Sequence, residues 1–388
     1  MNDTKGFDKI VGHDYVKKCL LALNKKDIPN TMIFTGAKGV GKLTAAVEYS
    51  LLLMCENPLP NGACYECHSC KSYEKSLNPN IAFWYPKGQN TSIEQMRNLK
   101  NLSNFAPLGS KYKINIIQDA DTLNEESSNS ILKIMEEPPD YLVNILLYDN
   151  PANIIPTLRS RAYVLNFSPL SNELVYRYLN SKYSDQKEII DFVSRYAMGC
   201  IGRARLLMEC DNLDEIRELV YTAVGEIISN PFAIEYLAEK FSSVKFSFPE
   251  ISKESNKNLA EVNVHSDRVF SVESMNDDDL KSNEQGFVSK PPKLSMTSKD
   301  CVLELLDMLA LYLRDLSLMK LENTELINEQ IINIDKIEFL QFHEKSFGEI
   351  KRIMKCIDII WSVKEKIKGN MNINLCLESL FSKMIFNL

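Results

Sequence analysis

The chain has 388 residues, 45% hydrophobic and 25% charged, with a formal net charge of −7. That length favours two or three domains over one core, and the acidic balance argues against a surface that grips nucleic acid throughout, leaving room for a local basic patch. No apolar run approaches the roughly 18 residues needed to span a bilayer. The start, MNDTKGFDKIVGHD, lacks the basic-then-apolar pattern of a signal peptide, so the expected location is the cytoplasm.

The first 168 residues alternate strand and helix patterns. TMIFTG (31–36) is a short apolar run stopped by Gly36, KLTAAVEYSLLLMC (42–55) has helical spacing, and KINIIQDA (113–120) is rich in β-branched residues. EESSNSILKIMEEPP (125–139) reads as a helix stopped by Pro138 and Pro139, and YLVNILLYD (141–149) and AYVLNF (162–167) read as strands. Such alternation predicts a parallel sheet with helices on both faces. From 169 to 243 the periodicity is helical and predicts a small lid domain; 244–298 is polar, centred on NDDDLKSNEQG, and reads as a mobile insertion or linker. Residues 299–388 are helical again and predict an all-helical C-terminal collar domain.

GAKGVGKL (36–43) lies between a predicted strand and a predicted helix. Backbone N–H groups of such a loop cradle phosphates, and Lys42 would reach the β/γ-phosphates. The full P-loop pattern ends in Ser or Thr, whose hydroxyl holds Mg²⁺; here that position is Leu43, and Thr44 comes one residue late, expected to face elsewhere. The candidate nucleotide contacts are Gly36, Gly39, Gly41, Lys42 and Thr44. Whether the loop still holds ATP and Mg²⁺ stays open. Strand 113–120 should carry an Asp-Glu pair in a working ATPase of this class, but Gln118 and Asp119 stand there. Little or no intrinsic ATPase activity is expected. Asp121 reads as a helix-entry or surface residue.

CENPLPNGACYECHSC places Cys55, Cys64, Cys67 and Cys70 within sixteen residues. Four thiolates close a tetrahedral Zn²⁺ site with no open position, which makes the metal structural. A redox C-x2-C motif is the alternative, but it belongs at a thioredoxin-like strand–helix junction. A zinc-knuckle nucleic-acid binder is a further reading, disfavoured by the acidic charge. His68 reads as a bystander, and the six other cysteines as small buried hydrophobes.

Taken together, FDKIVGHDYVKKCLLALNKKDIPNTMIFTGAKGVGK (7–42), the knuckle, NPNIAFWYPKGQNTSIEQMRNL (78–99), INIIQDADTLNEESSNSILKIMEEPP (114–139) and IIPTLRSRAYVLNFSPL (154–170) resemble the bacterial DNA polymerase III clamp-loader subunits, the delta-prime and gamma/tau group of AAA+ proteins. The resemblance implies an AAA+ α/β P-loop domain with an inserted zinc knuckle, a helical lid and a collar. Within the group, the lost Mg²⁺-binding and water-polarising residues fit delta-prime better than a gamma/tau motor, the latter being the alternative. It implies a hetero-pentamer with gamma/tau and delta subunits, action on a sliding clamp and primed DNA through the assembled complex, and a place in the DNA polymerase III holoenzyme, a DNA-directed DNA polymerase and nucleotidyltransferase. Ser160 and Arg161 match the family's Ser-Arg-Cys, with Ala162 in place of Cys; Arg161 would then be an arginine finger for a neighbour's ATP site. Arg159 competes for that role, and a surface ion pair is the plain reading of either. Arg203, in AMGCIGRARLL (197–207), matches a nucleotide-sensing arginine, with a capping or solvated arginine as the alternative.

Overall fold

The computed structural model describes residues 5–24, 28–86, 93–230, 232–248, 287–288, 296–321, 330–346 and 349–387. The chain forms two compact units. Unit 1 is Met1–Tyr178 with Met198–Arg203 and Ile251–Ser295; unit 2 is Leu179–Ala197, Ala204–Glu250 and Met296–Leu388. Most helices expected as a lid therefore share a unit with those expected as a collar.

Unit 1 is built on a sheet of order β5-β1-β4-β3-β2-β6. Its strands are β1 (Thr31–Thr35), β2 (Ile81–Trp84), β3 (Lys113–Ile117), β4 (Leu142–Tyr148), β5 (Tyr163–Asn166) and β6 (Phe287–Val288). The first five pair in parallel, and β6 pairs antiparallel with β2. Alternate side chains of a strand point to opposite faces, so a sheet covered on both sides needs near-continuous apolar runs. That is how β1 and β4 read: Met32, Phe34, Val143, Ile145 and Leu147 enter one core, and Ile33, Leu142, Leu146 and Tyr148 the other.

Helix α1 (Asp14–Leu23) and α2 (Lys42–Met54) precede the knuckle helix α3 (His68–Glu74); α4 (Ile93–Ser103), α5 (Glu125–Glu136) and the short α6 (Pro156–Arg159) follow. Every residue of α2 is buried, so it packs on all sides rather than along one stripe. Asn124 caps α5, its side chain accepting from Ser127 N at 2.8 Å, and the helix ends before Pro138. Proline disfavours helical geometry in the residue before it. Strand β2, which the sequence reading had not separated as a strand, makes the 113–117 strand the third in chain order. Its central position needs two buried polar groups to be paired: Trp84 Nε1 donates to Asn115 Oδ1 at 3.2 Å, and Asn115 Nδ2 donates to Asn144 Oδ1 at 3.0 Å.

The chain continues through α7 (Asn172–Lys182), α8 (Lys187–Tyr196), α9 (Ile201–Met208), α10 (Leu213–Ser229) and α11 (Ile234–Ser243), then α12 (Ser298–Met319), α13 (Ile337–Ser346), α14 (Ile350–Lys368) and α15 (Ile373–Asn387). In unit 2, α12 packs against α14 and α13, and α15 against α11 and α14. Thr297 and Asp300 form a reciprocal capping box at the start of α12, which satisfies helix-end N–H groups. Asp315, fully buried, accepts from Ile332 N, Asn333 N and Asn333 Nδ2 at 3.0, 2.8 and 2.8 Å, fixing the stretch before α13. Arg217 is buried against Asp335 at 2.7 Å and lies 3.6 Å from the Phe192 ring centroid.

Within the stretch expected as a mobile insertion, 244–248 is held by Asn212, which donates to Lys245 O and accepts from Ser247 N, both at 2.9 Å. Residues 287–288 are the edge strand β6. The remainder of that expectation lies outside the described residues. Among the described residues, no helix is long and apolar enough to cross a membrane.

Candidate nucleotide loop and metal centre

The loop after β1 takes its shape from glycine. Gly36, Gly39 and Gly41 all have positive φ, at 150°, 82° and 113°. Gly36 is also a close approach: a Cβ there would stand 2.1 Å from the Phe167 carbonyl oxygen. Gly39 O accepts from Gly202 N at 2.7 Å, which ties the start of α9, and hence Arg203, to the loop. Arg203 is half-buried one residue further on.

Lys42 opens α2 and is 5% exposed. Its ammonium donates to the carbonyls of Gly36 and Ala37 at 2.6 and 2.9 Å and to Asp149 Oδ1 at 2.9 Å. Asp149, just past the end of β4, was not singled out from the sequence. It is positioned in turn by Asp121, whose carboxylate accepts from Asp149 N at 2.6 Å, Asn150 N at 3.1 Å and Asn153 Nδ2 at 3.0 Å. Asp121 is thus the anchor of the 149–153 turn, a more specific task than the surface role read from the sequence.

A small cleft brings together Gly39, Lys42, Leu43, Gln118, Asp119 and Asp149. Gln118 is buried, and its N–H donates to Trp84 O at 2.9 Å. Asp119 has a left-handed backbone, φ 47°, and its carbonyl accepts from Thr122 N. Leu43 is 2% exposed and packs in the core under the sheet, so this position puts a hydrocarbon where a P-loop has its hydroxyl. Thr44 is buried and does not line the cleft. His13, also missed from the sequence, donates from Nε2 to the Val40 carbonyl of the loop at 2.8 Å, and its ring lies 4.9 Å from that of Phe167. Burial holds its imidazole below the usual range.

Arg161 stands apart from the cleft residues, exposed on the turn before β5. Its guanidinium lies 3.6 Å from Glu136 and donates to Thr157 O at 3.3 Å. Arg159 is exposed with no ion pair among the described residues.

The sulfur atoms of Cys55, Cys64, Cys67 and Cys70 all lie within 4.8 Å of one another. Tetrahedral Zn²⁺ with Zn–S of about 2.3 Å needs sulfurs about 3.8 Å apart, so the set fits the ion with small adjustments. Backbone N–H groups already point at sulfur: Cys64 N to Cys55 Sγ at 3.3 Å, and Glu66 N and Cys67 N to Cys64 Sγ at 3.4 and 3.3 Å. Burial alone would raise the Cys64 thiol, but the Glu66 and Cys67 N–H groups outweigh it and hold it at about 7. Cys55 is pushed up to about 11 by burial. Its thiolate would form only with a cation beside it. His68 is exposed and outside the set.

Residues 13–171 match the family described as DNA polymerase III, delta subunit. The delta-prime subunit of Bacillus subtilis DNA polymerase III is 30% identical over 156 residues, 40% of this chain and 46% of that one. The gamma subunit of Buchnera aphidicola from Acyrthosiphon pisum is 28% identical over 211 residues, 52% of this chain and 58% of that one. The N-terminal unit is thus similar in sequence to subunits of DNA polymerase III clamp loaders. The B. subtilis tau subunit is 27% identical over 175 residues and is spanned over 31% of its length. The chain therefore spans between 31% and 58% of the length of these relatives. A DNA polymerase III gamma subunit-related protein of Thermotoga maritima, with a solved structure, aligns over 95% of this chain and 98% of its own at a TM-score of 0.43 and 15% identity.

Proposed function

We propose that this chain is a delta-prime-like subunit of a DNA polymerase III clamp loader: a stationary AAA+ subunit that joins gamma/tau and delta subunits in a hetero-pentamer and helps place a sliding clamp on primed DNA. The observation that carries the delta-prime reading is Leu43, buried in the core where a Mg²⁺-holding hydroxyl would stand, beside Gln118 and Asp119 at the end of β3. The neutral Gln118 is a poor Mg²⁺ anchor, and Asp119 is one methylene shorter than the water-polarising Glu it replaces. Both departures weaken hydrolysis.

In this reading Arg161 acts on a neighbouring subunit. Its exposure leaves the guanidinium free to exchange Glu136, at 3.6 Å, for phosphate oxygens. Arg203 and the glycine loop are the candidates for any nucleotide the subunit itself holds, and Cys55, Cys64, Cys67 and Cys70 hold a structural Zn²⁺. The intact Lys42 and the similarity to gamma and tau subunits favour a second reading, a motor subunit.

Mg²⁺-dependent ATP turnover by the purified chain separates the two. Turnover at background supports the stationary subunit; turnover abolished by Lys42→Ala makes the chain a motor. In the assembled complex, Arg161→Ala should lower turnover by about 10³-fold, the lower end for arginine fingers. An unchanged rate would remove Arg161 from this role.

A further inference from the structure

We infer that the cysteine knuckle is a metal-dependent clamp on the N-terminal segment 5–13, and that through this segment and α2 it sets the conformation of the glycine loop. The inference rests on the knuckle holding a metal, as proposed above.

The segment is stitched to the knuckle along its length. Phe7 N donates to Asn61 O at 2.8 Å, Asn61 Nδ2 donates to Asp8 Oδ2 at 2.8 Å, and Lys5 pairs with Glu66 at 2.8 Å. Gly6 and Gly62, with φ of 61° and 141°, let the two backbones touch: a Cβ at Gly62 would stand 2.7 Å from Gly6 Cα. The knuckle side of this seam takes its shape from sulfur, since the N–H groups of Cys64, Glu66 and Cys67 all point at thiols. Without the metal, four clustered thiols have no common partner to hold that turn.

Tyr65 is the pin. It sits at φ 62° between two knuckle residues and donates its hydroxyl to Glu48 of α2, a fully buried carboxylate. Lys9 closes the triad, 3.9 Å from Glu48 and 3.9 Å from the Tyr65 ring centroid. One helix thus carries both Lys42, in the glycine loop, and Glu48, which accepts a hydrogen bond from the knuckle's Tyr65. The second path runs along the segment itself, through Ile10 and Gly12 to His13, which bonds to Val40 of the loop. Loss of a hydrogen bond to a buried carboxylate is costly, so release of Tyr65 loosens α2 as well as the segment.

Hydrogen exchange read by mass spectrometry on the full chain tests this, with zinc content measured on the same samples. The zinc-loaded chain should hold one zinc, lost in Cys67→Ser; a chain that takes up none overturns the metal reading itself. With zinc bound, chelation should speed exchange about 10-fold in peptides covering 5–13 and 36–42 and leave β4 unchanged, the fold-change of losing a contact worth about 1.4 kcal/mol. Acceleration confined to 55–70 overturns the clamp and leaves the metal site standing. Should chelation unfold unit 1 entirely, zinc-loaded Tyr65→Phe decides: about 10-fold faster exchange in 5–9 supports the pin, and an unchanged rate refutes it.

Discussion

Replacing Asp149 by Asn removes the only carboxylate among the described residues that pairs with Lys42, while keeping the side chain's size. The ammonium is almost enclosed, its side chain 6% exposed, and the carboxylate is 36% exposed. Breaking a fully buried pair costs about 3–5 kcal/mol and an exposed one about 0–1 kcal/mol. Water reaches one partner here, and the Gly36 and Ala37 carbonyls still accept from the ammonium, so the expected loss is about 1–2 kcal/mol. For a unit of this size that lowers Tm by roughly 2–8 °C. The two tryptophans separate the units: Trp84, 1% exposed, reports on unit 1, and Trp361, 48% exposed, on unit 2. In a Trp361→Phe background, fluorescence melting therefore follows unit 1 alone. Lys42→Met and the double variant complete a cycle, in which the pair should show a coupling of about 1 kcal/mol. Additive effects of the two substitutions, or a Tm for Asp149→Asn within about 1 °C of the parent, would refute a stabilising role for this pair.

Asp121→Ala should lower the same transition by about 1 kcal/mol, because it removes the acceptor of Asp149 N, Asn150 N and the Asn153 amide; an unchanged Tm would overturn its role as anchor of the turn. Gly36→Ala should abolish soluble folded protein, since its Cβ meets the Phe167 carbonyl at 2.1 Å, whereas Gly109→Ala, with φ of 62° and nothing within 4 Å, should cost only about 1 kcal/mol of backbone strain on thermal melting. Burial lowers the His343 imidazole below its ordinary 6.5. The unfolded chain then binds more protons, so unit 2 should lose stability as pH falls below about 6.5, by up to about 1.4 kcal/mol per pH unit until the folded value is reached. Melting of unit 2 across pH 5–8 should show this slope, and His343→Gln should flatten it; an equal slope in the variant would assign it elsewhere.

The glycine loop and the knuckle were legible because local chemistry dictates residue type there. Positive φ at Gly36, Gly39 and Gly41 selects glycine, and four thiols around one point select C-x8-C-x2-C-x2-C. The strand β2 was harder. IAFW is four residues between two prolines, too short for periodicity to separate strand from helix. The partners of Asp149, His13 and Tyr65 were not legible, since each contact joins residues apart in the chain, 107 positions for Lys42 and Asp149. The rule that ligands collect at the carboxyl ends of parallel strands would have marked Asp149 for attention. Helical periodicity marked the helices of 172–243 and 298–387 but not their association. That is decided by contacts such as Tyr196 Oη to Glu304 O at 3.3 Å and Arg195 to Ile331 O at 3.0 Å.

The two-residue strand β6 has a consequence for how the protein is made. Its partner β2 ends at Trp84, yet the ribosome supplies Phe287 only after residues 85–286 have been polymerised. At about 5–20 residues per second, the outer edge of β2 waits roughly 10–40 s for its cover. During that interval the nascent chain carries an open parallel-sheet edge rich in aromatic side chains, a template for pairing with other nascent chains on the same message. Slowing translation within 85–286 should therefore lower the soluble yield without changing the melting of what folds.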